Sequence, residues 1–270
     1  MAARTSALET RETRWSPDAA KAGAAIKIWR QLVVNVLSRG KNVQRSNEAD
    51  DAWKENLVPL VESRVKELLL ASPACHDWDH TQRVRFLALR LAAAEGADAL
   101  IVEVGALLHD IGRPAELADQ GRTCHAALGG RLARDVLVAL GVESSPFVTA
   151  VVDCVRCHRH RRRDAGASPE TLEAKVVYDA DKLDSMGAIG IGRSFHFAGR
   201  IGARVHNTAS EALGDQSYGR EDSAYREYLV KLRFLKDKMM TASGARLATR
   251  RHHVMAEFFA ELDREVRGED

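Results

Sequence analysis

A histidine followed directly by a carboxylate closes an apolar helical run in the string LLHDIGRP, residues Leu107–Pro114. The glycine and proline after it make the chain turn, so His109 and Asp110 can converge on one point instead of diverging around a helix. A buried imidazole and a buried carboxylate each need a partner, because burial without one is strongly unfavourable. Three more histidines stand at the inner ends of other apolar stripes: His80, His125 and His158.

These side chains together predict a bound divalent cation. A single histidine on an apolar face is more often a hydrogen-bonded core residue than a ligand, but here four helices each bring one histidine to an inner end. Neutral imidazole with carboxylate suits Mn²⁺, Mg²⁺, Fe²⁺, Ni²⁺ or Zn²⁺ in hydrolytic sites, and we expect Mn²⁺ first.

The elements that position these residues are predicted to be helices. Nearly every segment after residue 51 carries apolar residues three or four apart, and no segment shows the alternation of a strand. Ser168 and Pro169 have the residue types of an N-cap and a first helical position. The last two helices are expected over about Ser223–Met240 and Ala245–Arg267. The sequence therefore predicts an all-α helical bundle.

The chain divides into an extension and one domain. Residues 1–22 have the mixed composition of a disordered tail, and Ile26–Leu37 has the spacing of a short amphipathic helix. A polar linker follows over Arg39–Asp51. We expect residues 1–50 to form a partly disordered N-terminal extension and residues 51–270 to form the domain.

Charge and cysteine content narrow the class of protein. Forty basic residues against 38 acidic residues give no global attraction to nucleic acid or to an anionic membrane. Four irregularly spaced cysteines do not form a disulfide framework, and no leader pattern or membrane-spanning run is visible. We expect a cytoplasmic protein without a membrane partner. The sequence does not fix its oligomeric state, and a homo-oligomer stays open.

Three strings, HDWDHTQRV, LLHDIGRP and DADKLDSMGAIGIGRSF, resemble the ordered H…HD…D pattern of the HD-domain metal-dependent phosphohydrolase superfamily. Their details are similar to a bacterial-type subgroup that includes nucleoside triphosphate pyrophosphohydrolases. The resemblance runs from about Ala71 to Glu265. It implies an HD-domain helical bundle that cleaves a phosphate ester or anhydride in a nucleotide-like substrate.

The resemblance also implies a set of metal ligands: His80, His109, Asp110 and Asp181. Helical periodicity favours Asp179 as the inward carboxylate at least as well as Asp181, so the choice of Asp181 rests on the family motif. Some HD proteins bind a second ion through two additional histidines, and His125 and His158 occupy the corresponding stretch. One metal site is expected, and a second one is left open.

Two short motifs are rejected, one as a metal site and the other as a haem attachment site. His76 and Asp77 form a second HD pair, but no apolar run carries His76 inward, so a place beside the metal ligands or facing the substrate fits it better. The string CVRCH, Cys154–His158, matches a c-type haem attachment pattern. It lies inside a predicted amphipathic helix, and we expect no haem. The glycines of GAIGIGR follow no strand, so they do not predict a dinucleotide site.

Acid–base and phosphate-binding roles need carboxylates and cations near the ligands. The candidates for a general base or proton shuttle are Asp184, Glu116 and Asp77, with Asp184 preferred. The candidates for holding substrate are Lys182, Arg193, Lys231 and His76. The run HRHRRR, His158–Arg163, adds a local positive patch. Each carboxylate has the alternative of a solvated position or a helix cap, and each cationic residue has that of a solvated surface position.

Two classes of function follow from these patterns. The favoured class is a metal-dependent phosphohydrolase. The rival is a non-catalytic nucleotide-sensing or regulatory protein that keeps the HD scaffold. A complete ligand set favours the enzyme, because a sensor does not need to retain all four ligands.

Overall fold

A computed structural model describes residues 31, 33–38, 52–69, 78–118, 122–142, 145–159, 168–214 and 216–269. All regular secondary structure within these ranges is helical, which confirms the predicted all-α fold. The helices are α1 (Ala52–Leu69), α2 (Trp78–Glu95), α3 (Ala99–Leu108), α4 (Arg113–Ala118), α5 (His125–Ala139), α6 (Ser145–Cys157), α7 (Leu172–Asp184), α8 (Gly187–Arg200), α9 (Ala209–Gly214), α10 (Ala224–Val230), a 3₁₀ helix (Leu232–Lys238) and α11 (Ala242–Arg267).

Helix α3 lies between two apolar clusters and contributes to both. It begins at Ala99 because the Asp98 side chain accepts hydrogen bonds from the first free backbone N–H groups. Its residues Val104 and Leu108 pack with α1, α5 and α6 in one cluster. Its residues Val102 and Ala106 pack with α2, α7 and α11 in the other. The His109–Asp110 turn therefore leaves the end of a central, buried helix.

Several helix boundaries differ from the predicted ones. Helix α7 begins at Leu172 with Thr171 as its N-cap, so the prediction of a start at Ser168 and Pro169 was wrong. The predicted helix over Ser223–Met240 is divided into α10 and the 3₁₀ helix. Thr241 then caps α11, whose observed start at Ala242 precedes the predicted one.

Little of the predicted N-terminal extension falls within the described residues. Residues 33–38 are helical, and Val33 and Val36 are buried in the first apolar cluster with Leu57 of α1. The predicted tail and the predicted linker lie outside the described residues. Among the residues that the structure describes, no helix combines the length and the apolar character that a membrane crossing requires.

Candidate metal centre

The four histidines predicted from the sequence are buried together where helices begin or end. His80 lies in the first turn of α2, and His125 is the first residue of α5. His109 directly follows α3, and His158 directly follows α6. Each of the four is at most 2% exposed. The ends of four helices therefore enclose one polar site inside an apolar bundle.

Gly112 lets the His109–Asp110 turn approach the start of α5. A Cβ atom at Gly112 would lie 2.3 Å from the carbonyl oxygen of His125 and 2.9 Å from the backbone nitrogen of Gly129. Both obstacles are backbone atoms, so a larger residue would push α5 away from the turn. The close approach brings His125 within reach of the Asp110 carboxylate.

Asp110 divides its two carboxylate oxygens between two pairs of histidines. Its Oδ2 lies 3.7 Å from Nε2 of His80 and 3.8 Å from Nε2 of His109. Its Oδ1 lies 3.5 Å from Nε2 of His125 and 3.5 Å from Nε2 of His158. Each triplet of side chains has the spacing of a metal site. Asp110 is thus common to two adjoining groups of ligand atoms.

Every one of these imidazoles is oriented through its Nδ1 atom. His109 and His158 donate to backbone oxygens one helical turn earlier, at 2.7 and 2.6 Å. His80 Nδ1 donates to Asp184 Oδ2 at 2.7 Å, and His125 Nδ1 donates to a Glu116 oxygen at 2.7 Å. A neutral ring that donates through Nδ1 directs the lone pair of Nε2 into the centre.

The Nε2 atoms meet in pairs at short distances. Nε2 of His80 lies 3.2 Å from Nε2 of His109, and Nε2 of His125 lies 3.1 Å from Nε2 of His158. Converging lone pairs on neutral rings repel one another unless a cation lies between them. The donor set therefore fits a divalent metal ion, and it contains nitrogen and carboxylate oxygen without thiolate.

Burial keeps two of the rings, His109 and His125, in the neutral form that metal binding requires. It lowers the pKa of His109 to about 4, against the opposing effect of Asp110 and Asp181. Burial also lowers the pKa of His125, although its hydrogen bond to Glu116 acts in the opposite direction. Neutral imidazole is the ligating form, so these rings do not need to release a proton before they bind a metal.

Asp181 and Asp179 face different parts of the molecule. Oδ1 of Asp181 lies 3.6 Å from Nε2 of His80 and 4.0 Å from Nε2 of His109. Burial acts to raise the pKa of Asp181, but the Lys182 ammonium and the nearby histidines hold it well below its usual range.

Asp179 instead holds the start of α11. Its carboxylate accepts hydrogen bonds from the Met240 N–H at 2.9 Å, the Thr241 N–H at 2.8 Å and the Thr241 hydroxyl at 2.7 Å. A Cβ atom at Gly244 would lie 2.2 Å from Oδ2 of Asp179, so a glycine is needed there. Asp179 therefore has a structural partner that lies 61 residues away along the chain.

Asp184 and Glu116, two of the predicted catalytic carboxylates, are held by cationic side chains. Asp184 accepts from Arg83 Nε at 2.8 Å and from Arg193 at 2.8 Å, in addition to His80. Hydrogen bonds from His80 and Arg83 keep the pKa of Asp184 below its ordinary value, although burial acts to raise it.

Glu116 has the same kind of surroundings on the other side of the centre. It accepts from Arg113 at 2.5 Å and from Arg159 at 2.8 Å, in addition to His125. Burial opposes ionisation, yet the hydrogen bond from His125 and the guanidinium groups lower the pKa of Glu116 to about 2. A carboxylate with so low a pKa is a weak general base near neutral pH.

The predicted substrate-binding residues lie in different places. Lys182 Nζ donates to Asp181 Oδ2 at 2.7 Å and to the carbonyl oxygen of His158 at 2.8 Å. Arg193 contacts Asp184, as described, and Lys231 forms an ion pair with Glu227 one turn away on the chain. His76 and Asp77 lie outside the described residues.

Sequence reasoning did not single out Arg83 or Arg113, and it treated Arg159 only as part of the HRHRRR run. Arg83 lies one helical turn after His80, so its position on that helix face was a signal. Its partner Asp184 is 101 residues away, and no local pattern reveals such a pairing.

Comparisons with known proteins agree with this geometry. A family model described as the HD domain matches residues 77–186, the segment that carries the four histidines, Asp110 and Asp181. YpgQ of Bacillus subtilis is 35% identical over 206 residues, which are 76% of this chain and 92% of YpgQ.

Solved structures extend the similarity to the fold. The crystal structure of YpgQ in complex with ADP has a TM-score of 0.59 and 31% identity, over 79% of this chain and 96% of that chain. An HD-superfamily hydrolase from Bacillus thuringiensis has a TM-score of 0.59 and 30% identity, over 79% and 98%. Since the ordered H…HD…D strings fold into one buried centre, in a chain that matches these relatives over most of its length, this protein belongs to the HD-domain superfamily.

Proposed function

We propose that this protein is a divalent-metal-dependent phosphohydrolase that cleaves a phosphate ester or anhydride of a nucleotide-like substrate. The observation that carries the proposal is the convergence of Nε2 atoms on the Asp110 carboxylate, with every Nδ1 already engaged. Binding of ADP by YpgQ supports a nucleotide as the substrate class. A nucleoside triphosphate pyrophosphohydrolase is the specific form of this activity that we favour.

The ligands of the first ion are proposed to be His80, His109, Asp110 and Asp181. Asp181 is assigned because its Oδ1 faces His80 and His109. A divalent cation held there would lower the pKa of a water molecule and polarise a phosphoryl oxygen. Mn²⁺ is the first candidate, and Mg²⁺, Fe²⁺, Ni²⁺ and Zn²⁺ suit the same ligand types.

A second ion is proposed for Asp110, His125 and His158, which form the other triplet with the spacing of a metal site. Under Mn²⁺, metal analysis of the purified protein should give close to two ions per chain. His158→Ala should reduce this number to close to one. A wild-type value near one that the substitution does not change would refute the second ion.

The carboxylates around the centre are proposed to position ligands. Asp184 and Glu116 accept from the Nδ1 atoms of His80 and His125, and this contact fixes the ring orientation and strengthens the ligand. Both are carboxylates paired with arginines, and they do not release and take up protons near neutral pH. Of the predicted base candidates, Asp77 keeps that proposed role.

Cations beside the centre are proposed to hold the anionic substrate. Arg83 and Arg193 flank Asp184 with side chains that are 34% and 18% exposed, so both reach solvent at the edge of the site. Guanidinium groups match phosphate oxygens in geometry and charge. Lys231, which is paired with Glu227, is a more distant candidate on this proposal.

The proposal is tested by incubating purified protein with Mn²⁺ and a panel of nucleotides, and identifying pyrophosphate or orthophosphate among the products. Asp110→Asn should abolish hydrolysis, because it removes the anionic donor shared by both histidine pairs. Asp135→Asn, an exposed position on α5, is the matched control and should keep wild-type activity. Tight nucleotide binding without turnover by any nucleotide would favour the rival, a nucleotide-sensing protein.

A further inference from the structure

The Lys182 side chain is buried between the two groups of candidate ligands. Only 8% of the residue is exposed, and its Nζ lies 5.1 Å from the centre of the Tyr178 ring. A buried ammonium is stable only where acceptors replace its lost hydration. Two acceptors of Lys182, Asp181 Oδ2 and the His158 carbonyl oxygen, belong to residues at the centre.

The contact with Asp181 determines which oxygen faces the histidines. Lys182 holds Oδ2 at 2.7 Å, while Oδ1 lies 3.6 Å from Nε2 of His80. Without this contact, the carboxylate could rotate about its χ angles and direct either oxygen elsewhere. By holding Oδ2, the Lys182 ammonium therefore fixes the orientation of Oδ1, the proposed metal-donor atom of Asp181.

The contact with His158 fixes the backbone where α6 ends. Carbonyl groups in the last turn of a helix and directly after it have no partner within the helix, and a cationic side chain can supply one. Lys182 donates to the carbonyl oxygen of His158 at 2.8 Å, and the His158 ring is held at Nδ1 by the carbonyl oxygen of Val155. Backbone and ring of His158 are thus held from two directions.

We propose that Lys182 is a positioning residue that joins the two groups of ligands, so that its removal weakens metal binding in both. This inference rests on the proposed function, because it concerns the same ions. It differs from the sequence-based prediction that Lys182 binds substrate. It is carried by the two hydrogen bonds, each made to a different ligand group.

The charge of Lys182 taken alone would have the opposite effect on metal binding. An ammonium close to a metal site repels the metal cation, so removal of its charge should strengthen metal binding if charge were its main contribution. Loss of positioning should weaken metal binding. A role in holding substrate should raise KM and leave metal affinity in the absence of substrate unchanged.

The experiment is isothermal titration of metal-free protein with MnCl₂, on wild type, Lys182→Met and the control Lys175→Met. Lys175 lies on the same helix α7 and is partly exposed. We expect Lys182→Met to bind Mn²⁺ about 10- to 100-fold more weakly at both sites, as is typical when a residue that orients metal ligands is lost. Lys175→Met should match wild type.

Melting curves of the same samples show that each variant is folded at the titration temperature. If Lys182→Met does not fold, Lys182→Gln replaces it, because the amide keeps N–H donors while the charge is lost. The expected direction is the same, with a smaller loss of affinity. Unchanged or tighter Mn²⁺ binding by the folded variant would overturn the inference, and so would weakening confined to one site.

Failure of this inference can be distinguished from failure of the proposed function. If wild-type protein binds Mn²⁺ and the Lys182 variants bind it equally well, only the role of Lys182 is refuted. If wild-type protein binds no divalent cation, both are refuted together.

Discussion

Exchange of two neighbouring aspartates for asparagine separates structural anchoring from metal binding. Asp179 and Asp181 lie on α7, and asparagine keeps the size of each side chain while removing its charge. Asp179→Asn should lower the free energy of unfolding and leave Mn²⁺ affinity unchanged. Asp181→Asn should lower Mn²⁺ affinity, because it removes one anionic donor from a cation that prefers oxygen ligands.

The expected loss at Asp179 follows from its hydrogen bonds. Its carboxylate accepts from two backbone N–H groups and one hydroxyl, all at 2.9 Å or less. In either orientation an asparagine NH₂ would face one of the donors. Hydrogen bonds to a charged group contribute about 1.5–3 kcal/mol each.

Burial raises the pKa of Asp179 and outweighs the effect of the donors from Thr241 and Met240, so the charge itself adds little stability. The loss in the variant comes instead from a buried donor that is left without an acceptor. We therefore expect a net loss of about 2 kcal/mol. For a chain of this size, such a loss lowers the melting temperature by about 6 °C. The expected loss of free energy is larger than that of a single neutral hydrogen bond, since three donors depend on Asp179.

The assay is titration with Mn²⁺ at a temperature well below the melting point of both variants, with thermal unfolding measured on the metal-free proteins. Asp181→Asn should bind about 10-fold more weakly or worse. Asp179→Asn should bind as wild type does. Tight binding by Asp181→Asn together with lost binding by a folded Asp179→Asn would refute the ligand assignment.

Three further predictions concern removal of the metal, the glycine after the His109–Asp110 turn, and the dependence of stability on pH. Chelation of the metal should abolish hydrolysis while the helical far-UV signal survives, because two apolar clusters hold the helices together. Collapse of that signal would instead show that the metal has a structural role. Gly112→Ala should cost about 3 kcal/mol in urea unfolding, because its Cβ would meet backbone atoms of His125 and Gly129, and an unchanged midpoint would contradict this interpretation. In the metal-free protein, His109 alone should account for a loss of about 3 kcal/mol of stability as pH falls from 6.5 to 4. Unfolded His109 takes up a proton below pH 6.5, whereas folded His109, with a pKa of about 4, does not. The slope of stability against pH in that window should be smaller in His109→Asn than in wild type. An equal slope in the two proteins would argue against this role of His109.

Helical periodicity was sufficient to predict where the histidines lie. Each histidine lies at the start of a helix with an apolar stripe or directly after one, so the inner end of the stripe gave its position. The sharing of Asp110 between two pairs could not be predicted, because it depends on how closely the turn at Gly112 approaches α5. That approach is a tertiary distance between segments with no common local pattern.

Partners that are distant in sequence account for the residues that reasoning from patterns missed or assigned to another role. Glu116 and Asp184 were predicted as bases, since an acidic residue near a metal motif is a reasonable candidate for one. In the fold, each accepts from a histidine Nδ1 and from two guanidinium groups. Arg83 and Arg193 approach Asp184 from other helices, and Arg159 approaches Glu116 from the segment after α6. These ion pairs and their effect on the pKa values were therefore not visible in the sequence.

Helix geometry explains why periodicity favoured Asp179 in the string DADKLD. At about 100° per residue, Asp179 lies on the same face as the apolar stripe of α7, whereas Asp181 lies about 200° away from it. A stripe identifies the buried face of a helix that has one buried face. Helix α7 packs against α2 and α6 as well as against α11, so it has more than one. Asp184 lies about 60° from Asp181 on the face toward His80, while Asp179 faces α11. One short segment thus anchors the C-terminal helix on one side and supplies carboxylates to the histidine centre on another, and burial alone cannot distinguish these two tasks.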